Sequence, residues 1–525
     1  MTEKKNPPST PPSAAKDIST RSLFAFWGLL VLSAAMFSYQ VREYYVDDAF
    51  IGFQYIYHAI HGEGFRFDLN TSPVEGVTNI GWLLSLIPLS LFLGAPTAAK
   101  VQGFLLTGVN IGLIVMLSYR LAKKLPLGNV FQTILLAPVL LTVFNFEWLY
   151  FSLSGMETSI LSFTLLLFLW IADVRPNSWL LPLLSAIGST FHPEALLVFP
   201  LYAGLQFFQS PQRKVFLILN LFFWAILLAG ISYYRFQYFQ DVVPNTFHSK
   251  STSFFGLFNS VQEGLRGTHP NLPFPLAGIF VLVIFYFAWK GAQLMDVGSL
   301  GNALVSITAT GWLFCLYSPL DWTELARYFA PYLPAAMLLF WLGVISILPM
   351  LLRKGPFKQW GAKVTGVFLI FLIGMNFYSM VKVFALLKEY PNYVLISKPL
   401  IEPVQWIEKN IPAEATIATR RVGVLAYYTN NPIFDYTHGL SDREVAQLIN
   451  QEGHSFDNPR DEALEKLWKE RSPEYLLEDD EQMLKVAWPK STEIKHLTIH
   501  GMEYKILKKF PMNDNRSWIL YERVK

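Results

Sequence analysis

The sequence contains little charge and a single cysteine. Only 15% of its 525 residues are charged, whereas 52% are hydrophobic, a composition too apolar for a soluble globular protein. Cys315 lies inside a hydrophobic run, which excludes internal disulfides and cysteine-ligated metals. The net charge is +3 and the basic residues form no stripe, so no nucleic-acid partner is indicated. The class that fits these absences is an integral membrane protein.

Long apolar runs fill the chain up to about residue 387. A helix crosses the bilayer core with about 20 apolar residues. The run from Ile80 to Gly94 is short and contains Pro88, and the stretch 179–208 is interrupted at His192-Pro193-Glu194, so each can be interpreted in two ways. With the first taken as an interfacial helix and the second as two helices, eleven spans are predicted, at 22–39, 100–119, 130–150, 156–173, 179–191, 194–208, 215–234, 272–289, 302–318, 332–352 and 364–385.

The distribution of Lys and Arg supports this choice, because both residues stay on the cytoplasmic side of short loops. Fifteen basic residues then lie on the cytoplasmic side, and seven lie in the much longer outer loops before residue 388. The polar segments of the membrane part all fall on the extracytoplasmic side, namely the loops 40–99, 235–271 and 319–331 and the turns 152–155 and 192–194. One shared face is expected of a functional site.

The composition changes at both ends of the chain. Residues 1–20 are rich in Pro, Ser, Thr and Lys and predict a disordered cytoplasmic tail, followed by a transmembrane domain over 21–387. Residues 388–525 predict an extracytoplasmic α/β domain with a lid or docking role, and a catalytic role is the alternative. Its expected helices begin near Glu402, Arg443 and Pro459, and its expected strands are Thr416–Thr419, Val422–Tyr428, Ile433–Tyr436, Tyr475–Leu477, Ile494–Ile499 and Trp518–Glu522.

Two adjacent carboxylates, Asp47 and Asp48, follow the first span directly. Acids at the mouth of a membrane helix are costly unless they face water or a partner, so they indicate function. Capping of the following helix is the alternative.

Several segments resemble the GT-C glycosyltransferases. The loop from Asp47-Asp48-Ala49-Phe50-Ile51 to Glu75-Gly76-Val77-Thr78-Asn79 is similar to their first extracytoplasmic loop, most closely in the branch of the mycobacterial terminal arabinofuranosyltransferases. Further similar segments follow in order: Ser154-Gly155-Met156-Glu157-Thr158, His192-Pro193-Glu194, Tyr238 to Thr246, Asp321-Trp322 with Arg327-Tyr328, and Gly423 to Tyr428 with Asp435 and Gly439-Leu440. The chain departs from that branch at His192, where Arg is usual, and at Gln240, where Gly is usual.

The resemblance implies an α-helical polytopic membrane protein of GT-C type, with about 11 transmembrane helices, juxtamembrane helices and the C-terminal α/β domain. It implies a glycosyltransferase of the inner membrane that moves a pentosyl or hexosyl unit, arabinofuranose in this branch, at the periplasmic face of the cell envelope. The expected donor is a polyprenyl-phosphate sugar. The expected acceptor is a polysaccharide, a lipid or a protein, and membrane lipids surround the chain.

For that reaction we predict Asp47 as the base and Asp48 as its orienting partner, a cation ligand or a helix cap. A divalent cation, Mg²⁺ or Mn²⁺, at these two residues is left open, and no other cofactor is expected. The residues predicted to bind the donor phosphate are His192, Arg327, Lys250 and His248. Those predicted to bind the sugar or the acceptor are Glu75, Thr78, Asn79, Glu157, Glu194, Asn245 and Asp321.

Structural roles remain the alternative for several of these residues. Asn79 and Glu157 suit helix N-termini, and Arg327 suits a snorkelling side chain at the interface. A different class of function is a transporter or flippase of a lipid-linked sugar, with the acids as a proton relay. That class predicts internal repeats, which are not evident, and leaves the outer domain unexplained. The transferase predicts one outward cavity lined by Asp47, Asp48, Glu75, His192 and Arg327, open to lipid near 80–94.

Overall fold

The computed structural model describes most of the chain. The described residues are 19–69, 71–124, 131–246, 298–317, 327–352, 370, 374, 381, 398–429, 431–436, 439–440, 442–449, 462–479, 496–511 and 517–524. The predicted spans 272–289 and 364–385 lie wholly or almost wholly outside these residues.

The N-terminal part is helical. Its helices are α1 (Thr20–Gln40), α2 (Asp47–Ile60), α3 (Ile80–Leu93), α4 (Ala95–Lys124), α5 (Phe131–Val143), α6 (Phe146–Leu153), α7 (Thr158–Val174), α8 (Leu180–Phe191), α9 (Val198–Gln209), α10 (Lys214–Phe239), α11 (Gly298–Tyr317) and α12 (Leu333–Leu352). Short 3-10 turns occupy Pro193–Leu197, Pro211–Arg213 and Arg327–Tyr332.

Helices α1, α4 and α10 are long and apolar enough to cross a membrane by length and composition. A fourth candidate is the pair Leu136–Val143 and Phe146–Leu153, which meet at a 57° bend and pass the same criteria only when taken together. Large apolar side chains of α1 and α10 are exposed, such as Phe24 and Phe222. The predicted spans 22–39, 100–119 and 215–234 therefore correspond to long apolar helices, and the total of eleven stays a prediction.

The local structure of the segments Ile80 to Gly94 and 179–208, which could each be interpreted in two ways, explains how each one folds. Helix α3 contains 14 residues, about 21 Å at 1.5 Å per residue, which is too short for a bilayer core of about 30 Å. The stretch 179–208 breaks after Phe191, because His192 precedes a proline and takes an extended backbone with φ −154° and ψ 131°. The break at His192-Pro193-Glu194 is therefore confirmed.

Two polar clusters lie at opposite ends of α4. Lys124 at its C-terminus pairs with Asp173, which Arg120 also contacts at 2.6 Å, and Arg213 lies near that end. Lys100 near its N-terminus contacts the backbone just before α2. These two lysines are 24 residues apart, or about 36 Å along a helix. The helical part thus has a basic end and an end that carries α2.

The C-terminal part contains a mixed sheet flanked by helices. Its helices are α13 (Lys398–Asn410), α14 (Val422–Tyr428), α15 (Arg443–Ile449) and α16 (Glu462–Arg471). Its strands are β1 (Ile417–Thr419), β2 (Ile433–Phe434), β3 (Tyr475–Asp479), β4 (His496–Ile499), β5 (Met502–Pro511) and β6 (Ser517–Arg523), in the order β2-β1-β3-β6-β5-β4. Strands β2, β1 and β3 are parallel and the remaining pairs are antiparallel.

One prediction for this part is wrong. Val422–Tyr428 was expected as a strand because of its valines and tyrosines, but it forms α14. The segment packs lengthwise on α2, with Tyr427 against Phe50 and Phe53 at ring distances of 5.7 and 6.1 Å. Tertiary packing has overridden a weak local preference. Because α14 shares one hydrophobic core with the helical part, the two parts are packed together.

Candidate active site

The acid doublet forms the first turn of α2. A carboxylate is favoured there, since the free backbone N–H groups of a helix N-terminus carry partial positive charge. Asp47 and Asp48 nevertheless turn to different partners. The residue Asp47 is 5% exposed, whereas the side chain of Asp48 is 29% exposed.

Asp47 holds the N-terminus of α14. Its carboxylate accepts hydrogen bonds from the backbone N–H of Val424 at 3.0 Å and of Gly423 at 3.3 Å. A Cβ at Gly423 would lie 2.1 Å from the carbonyl oxygen of Asp47, so only glycine permits this approach. Burial raises the pKa of Asp47, and the Arg421 charge and the two N–H donors oppose that rise. The sequence left helix capping open as the alternative role of Asp47. In the structure Asp47 caps α14, a helix of the C-terminal part.

Asp48 pairs with Arg327. The Nη1 of Arg327 lies 2.8 Å from Oδ2 of Asp48, and the arginine side chain is only 9% exposed. Arg327 opens the 3-10 turn that leads into α12, so this ion pair joins the start of α2 to a distant part of the helical bundle. Arg327 and the acid doublet therefore lie on the same side of the molecule, as the transferase hypothesis requires.

His192 and Glu194 lie beside this pair. Nδ1 of His192 binds Oε2 of Glu194, and the Tyr332 hydroxyl donates to Oε1 of the same carboxylate at 2.9 Å. The imidazole ring lies 5.9 Å from the ring of Tyr328, which adjoins Arg327 in the chain. The charges of Glu157 and Arg327 both act on His192. These contacts bring together a cation, an imidazole and two buried carboxylates.

Glu157 connects this group to the outer loop. It follows Gly155, whose positive φ of 87° closes the turn after α6. Its Oε2 accepts a hydrogen bond of 2.7 Å from Nδ2 of Asn79, and both residues are buried. Thr78 beside Asn79 is half-buried. Asn79 and Glu157 each stand at a helix start, yet neither side chain caps its own helix.

Glu75 and Asn245 belong to a second group. Glu75 pairs with Arg235 of α10 at 3.0 Å, and its backbone carbonyl accepts from the N–H of Asn245 at 2.8 Å. The Asn245 side chain donates to Gly439 O at 3.2 Å, which ties this group to the C-terminal part. Burial raises the pKa of Glu75 to about 7, and Arg235 opposes the rise. The structure therefore divides the predicted site residues between two clusters.

Lys250, His248 and Asp321 lie outside the described residues. Within the described part, no three His, Cys, Asp or Glu side chains are gathered for a metal ion. Asp47 and Asp48 already accept from N–H donors of different groups, so they fit a shared divalent cation poorly. Sequence reasoning did not identify Arg235 and Tyr332 as partners of the buried acids, since each lies more than 130 residues from its partner.

An apolar groove of about 750 Å³ lies between α3, α4, α7 and α8. Its wall includes Pro88, Phe92 and Phe163, and it reaches Phe191, the residue before His192. A polar cleft of about 420 Å³ lies between the first outer loop and the C-terminal part, and its lining includes Asp68, Asp442 and Arg471. Neither cavity is lined by Asp47, Asp48, Glu75, His192 or Arg327, so the single cavity predicted from the sequence stays a prediction.

One solved structure is similar to this protein over nearly the whole chain. The crystal structure of ArnT from Cupriavidus metallidurans bound to undecaprenyl phosphate matches with a TM-score of 0.51 and 12% sequence identity. The match covers 96% of this chain and 98% of that one. The fold resembles that of ArnT. This likeness extends to the C-terminal part, since nearly all of both chains is aligned.

Comparison of sequences adds one match. Residues 392–521 match the family described as a domain of unknown function (DUF8728). No curated protein matches the chain.

Proposed function

We propose that the protein is an integral-membrane glycosyltransferase that takes a sugar from a polyprenyl-phosphate donor and transfers it on the extracytoplasmic side. The observation that carries this proposal is the Asp48–Arg327 ion pair at one end of an apolar helical bundle, with His192 next to Tyr328, the residue that follows Arg327. The ArnT-like fold supports it, because the ArnT structure contains undecaprenyl phosphate. An anionic lipid head needs a cation at the membrane surface, and a transferred sugar needs a carboxylate beside it.

The two ends of α4 support one membrane orientation for this proposal. The cluster of Arg120, Lys124 and Arg213 belongs on the cytoplasmic side, where basic residues concentrate. Asp48 and Arg327 then lie at the extracytoplasmic surface. The inner membrane and the periplasmic face are part of this proposal.

The apolar groove suits the isoprenoid chain of the donor. Its wall is almost entirely aliphatic and aromatic, and α3, which the sequence placed beside a lateral opening, forms one side. The groove reaches Phe191, so a chain lying in it would place its phosphate near His192 and Arg327. The C-terminal part covers the same end of the bundle.

Arg327 couples donor binding to catalysis in this proposal. It neutralises Asp48 in the structure, and a phosphate would compete for the same guanidinium. Donor binding thereby frees the Asp48 carboxylate to accept a proton from the acceptor hydroxyl. The phosphate leaves on the polyprenyl chain as the sugar C1–O bond breaks and the acceptor oxygen bonds to C1.

The contacts favour Asp48 over Asp47 as the base. Asp48 has the more exposed carboxylate, and Asp47 is closed off by Gly423 and Val424 of α14. The sequence suggested the opposite order, which is tested by the matched pair Asp47→Asn and Asp48→Asn. The identity of the sugar as arabinofuranose rests on the motif resemblance alone and is included as the first donor to test.

A divalent cation at the doublet is tested in the same assay. Its binding would require Asp48 to leave Arg327 or Asp47 to leave α14. If a cation takes part, chelation with EDTA reproduces the loss caused by Asp48→Asn and added Mg²⁺ or Mn²⁺ reverses it. Full activity in EDTA rejects the cation.

The deciding experiment uses protein in lipid nanodiscs and synthetic polyprenyl-phosphate sugars labelled in a pentose or a hexose. We expect release of polyprenyl phosphate and label in an envelope glycan fraction. Arg327→Ala should raise the KM for donor about 10- to 100-fold, as expected when a charge-assisted contact is lost. Arg327→Lys should recover part of it, and Arg42→Ala, an exposed arginine near the same end, should change nothing.

The same protein in proteoliposomes tests the rival class. The buried chain of His192, Glu194 and Tyr332 is the feature that a proton relay would use. Movement of intact labelled lipid across the bilayer, without release of polyprenyl phosphate, would identify a transporter.

A further inference from the structure

Lys100 makes contacts that the proposed chemistry leaves unexplained. Its Nζ donates to the carbonyl oxygens of Val41 at 3.1 Å, of Leu153 at 2.6 Å and of Tyr44. It also lies 4.3 Å from the centre of the Tyr45 ring. The three N–H bonds of the ammonium group are therefore matched by three acceptors.

This ammonium is held without a counter-ion. All three acceptors are backbone carbonyls, and in the described part of the chain no carboxylate lies within ion-pairing distance of Nζ. Placing an ammonium among carbonyls without a counter-ion is costly. A methionine of similar length would avoid this cost, so the presence of a charged side chain here calls for an explanation.

The carbonyls belong to the two segments that carry the acids. Val41 and Tyr44 lie in the connection that leads into Asp47 and Asp48, and Leu153 ends α6 just before the turn that carries Glu157. The two segments also touch directly, because the N–H of Val46 donates to Ser154 O at 3.4 Å.

The backbone is shaped for this contact. Gly103 lies one turn after Lys100 on α4, and a Cβ there would be 2.7 Å from Ser152 O. The missing side chain brings the end of α6 within reach of the ammonium group. A Cβ at Gly155 would likewise lie 3.0 Å from the Tyr45 ring.

We propose that Lys100 is a positioning residue of the transferase, which fixes Asp48 and Glu157 relative to each other by binding the backbone in front of each. This inference rests on the proposed function. Lys100 does not act on the substrates, because its three donors are already used within the protein. A displacement of reacting groups by about 1 Å can lower a rate about 10²-fold, which sets the expected size of the effect.

The test compares Lys100→Met with Lys100→Arg and with Lys123→Met. Lys123 is an exposed lysine at the other end of α4 and serves as the charge-matched control. In nanodiscs with labelled polyprenyl-phosphate sugar, we expect Lys100→Met to lower kcat about 10²-fold with the donor KM changed less than about 3-fold. Lys100→Arg, which keeps charge and N–H donors, should recover at least about 10-fold, and Lys123→Met should match wild type.

Hydrogen exchange provides a readout that does not need activity. The Val46 amide should exchange faster in Lys100→Met than in wild type and Lys123→Met, and Lys100→Gln, with two donors, should be intermediate. If the wild-type protein transfers no sugar, the proposed function fails, and the exchange rates alone then decide whether Lys100 holds this backbone. A normal kcat in Lys100→Met, equal losses in the Met and Arg variants, or unchanged Val46 exchange would each overturn the inference. Should Lys100→Met not fold, Lys100→Gln takes its place in both measurements.

Discussion

Removal of the Asp47 carboxylate should loosen the first turn of α14, where it accepts two hydrogen bonds. The N–H groups of Gly423 and Val424 belong to the first turn of a helix, where no intrahelical acceptor exists, so their protection depends on Asp47. A hydrogen bond to a charged acceptor stabilises by about 1.5–3 kcal/mol. For the two bonds together we take a conservative 2–3 kcal/mol, which corresponds to about 30- to 150-fold in an opening equilibrium.

The assay is hydrogen exchange of these two amides, measured by mass spectrometry on protein in nanodiscs. We expect Asp47→Ala to accelerate their exchange about 30- to 150-fold, and Asp47→Asn, which keeps an acceptor oxygen without the charge, to accelerate it about 10-fold. Glu43→Ala is the control variant, since it removes an exposed acid four residues earlier. The Ile417 amide, bonded to Pro432 O at 3.0 Å, is the control amide. Exchange at Gly423 and Val424 within about 3-fold of wild type in Asp47→Ala would refute the assignment.

Three further results are expected. Gly423→Ala places a methyl group 2.1 Å from Asp47 O and should lower the free energy of unfolding by about 1–3 kcal/mol, whereas Gly204→Ala, with open space around it, should be neutral or stabilising in the same thermal unfolding assay. Burial raises the pKa of Glu75 from 4.5 to about 7, so its protonated form stabilises the fold below pH 4.5 and this contribution, up to about 3 kcal/mol, is lost as the pH rises through about 7. Thermal unfolding should be measured near pH 5 and near pH 8. The free energy of unfolding should fall less between these pH values for Glu75→Gln than for wild type, and equal falls would contradict the raised pKa of Glu75. Asp48→Asn should lower transfer about 10²–10⁴-fold and more than Asp47→Asn does, and the reverse order would restore Asp47 as the base.

The sequence predicted the features that depend on local chemistry. The long apolar helices, the short helix at Ile80 and the break at Pro193 each follow from hydropathy or from the geometry of proline. The parallel strands β1, β2 and β3 were recognisable as short apolar runs between turns.

Features set by distant partners were not predictable in this way. Helix α14 was mistaken for a strand, because its conformation depends on packing against α2. Glu75 and Asn245 could be suspected of function, but their partners Arg235 and Gly439 are distant in the sequence and could not be named from it. Strand β5 was not predicted, although more and less exposed side chains alternate along it. A single sequence shows which side chains are unusual, and it does not show which of them meet.

The contact between Asp47 and α14 also has a consequence for biosynthesis. Gly423 is 376 residues beyond Asp47, so at about 5–20 residues per second the ribosome needs about 20–75 s to deliver it. During that interval the acid doublet lacks the helix that later encloses Asp47. A chain that terminates early would lack this enclosure whatever the quality of its membrane insertion. The cap between Asp47 and α14 therefore forms late in synthesis. Complete and incomplete copies of the chain differ in whether Asp47 is enclosed.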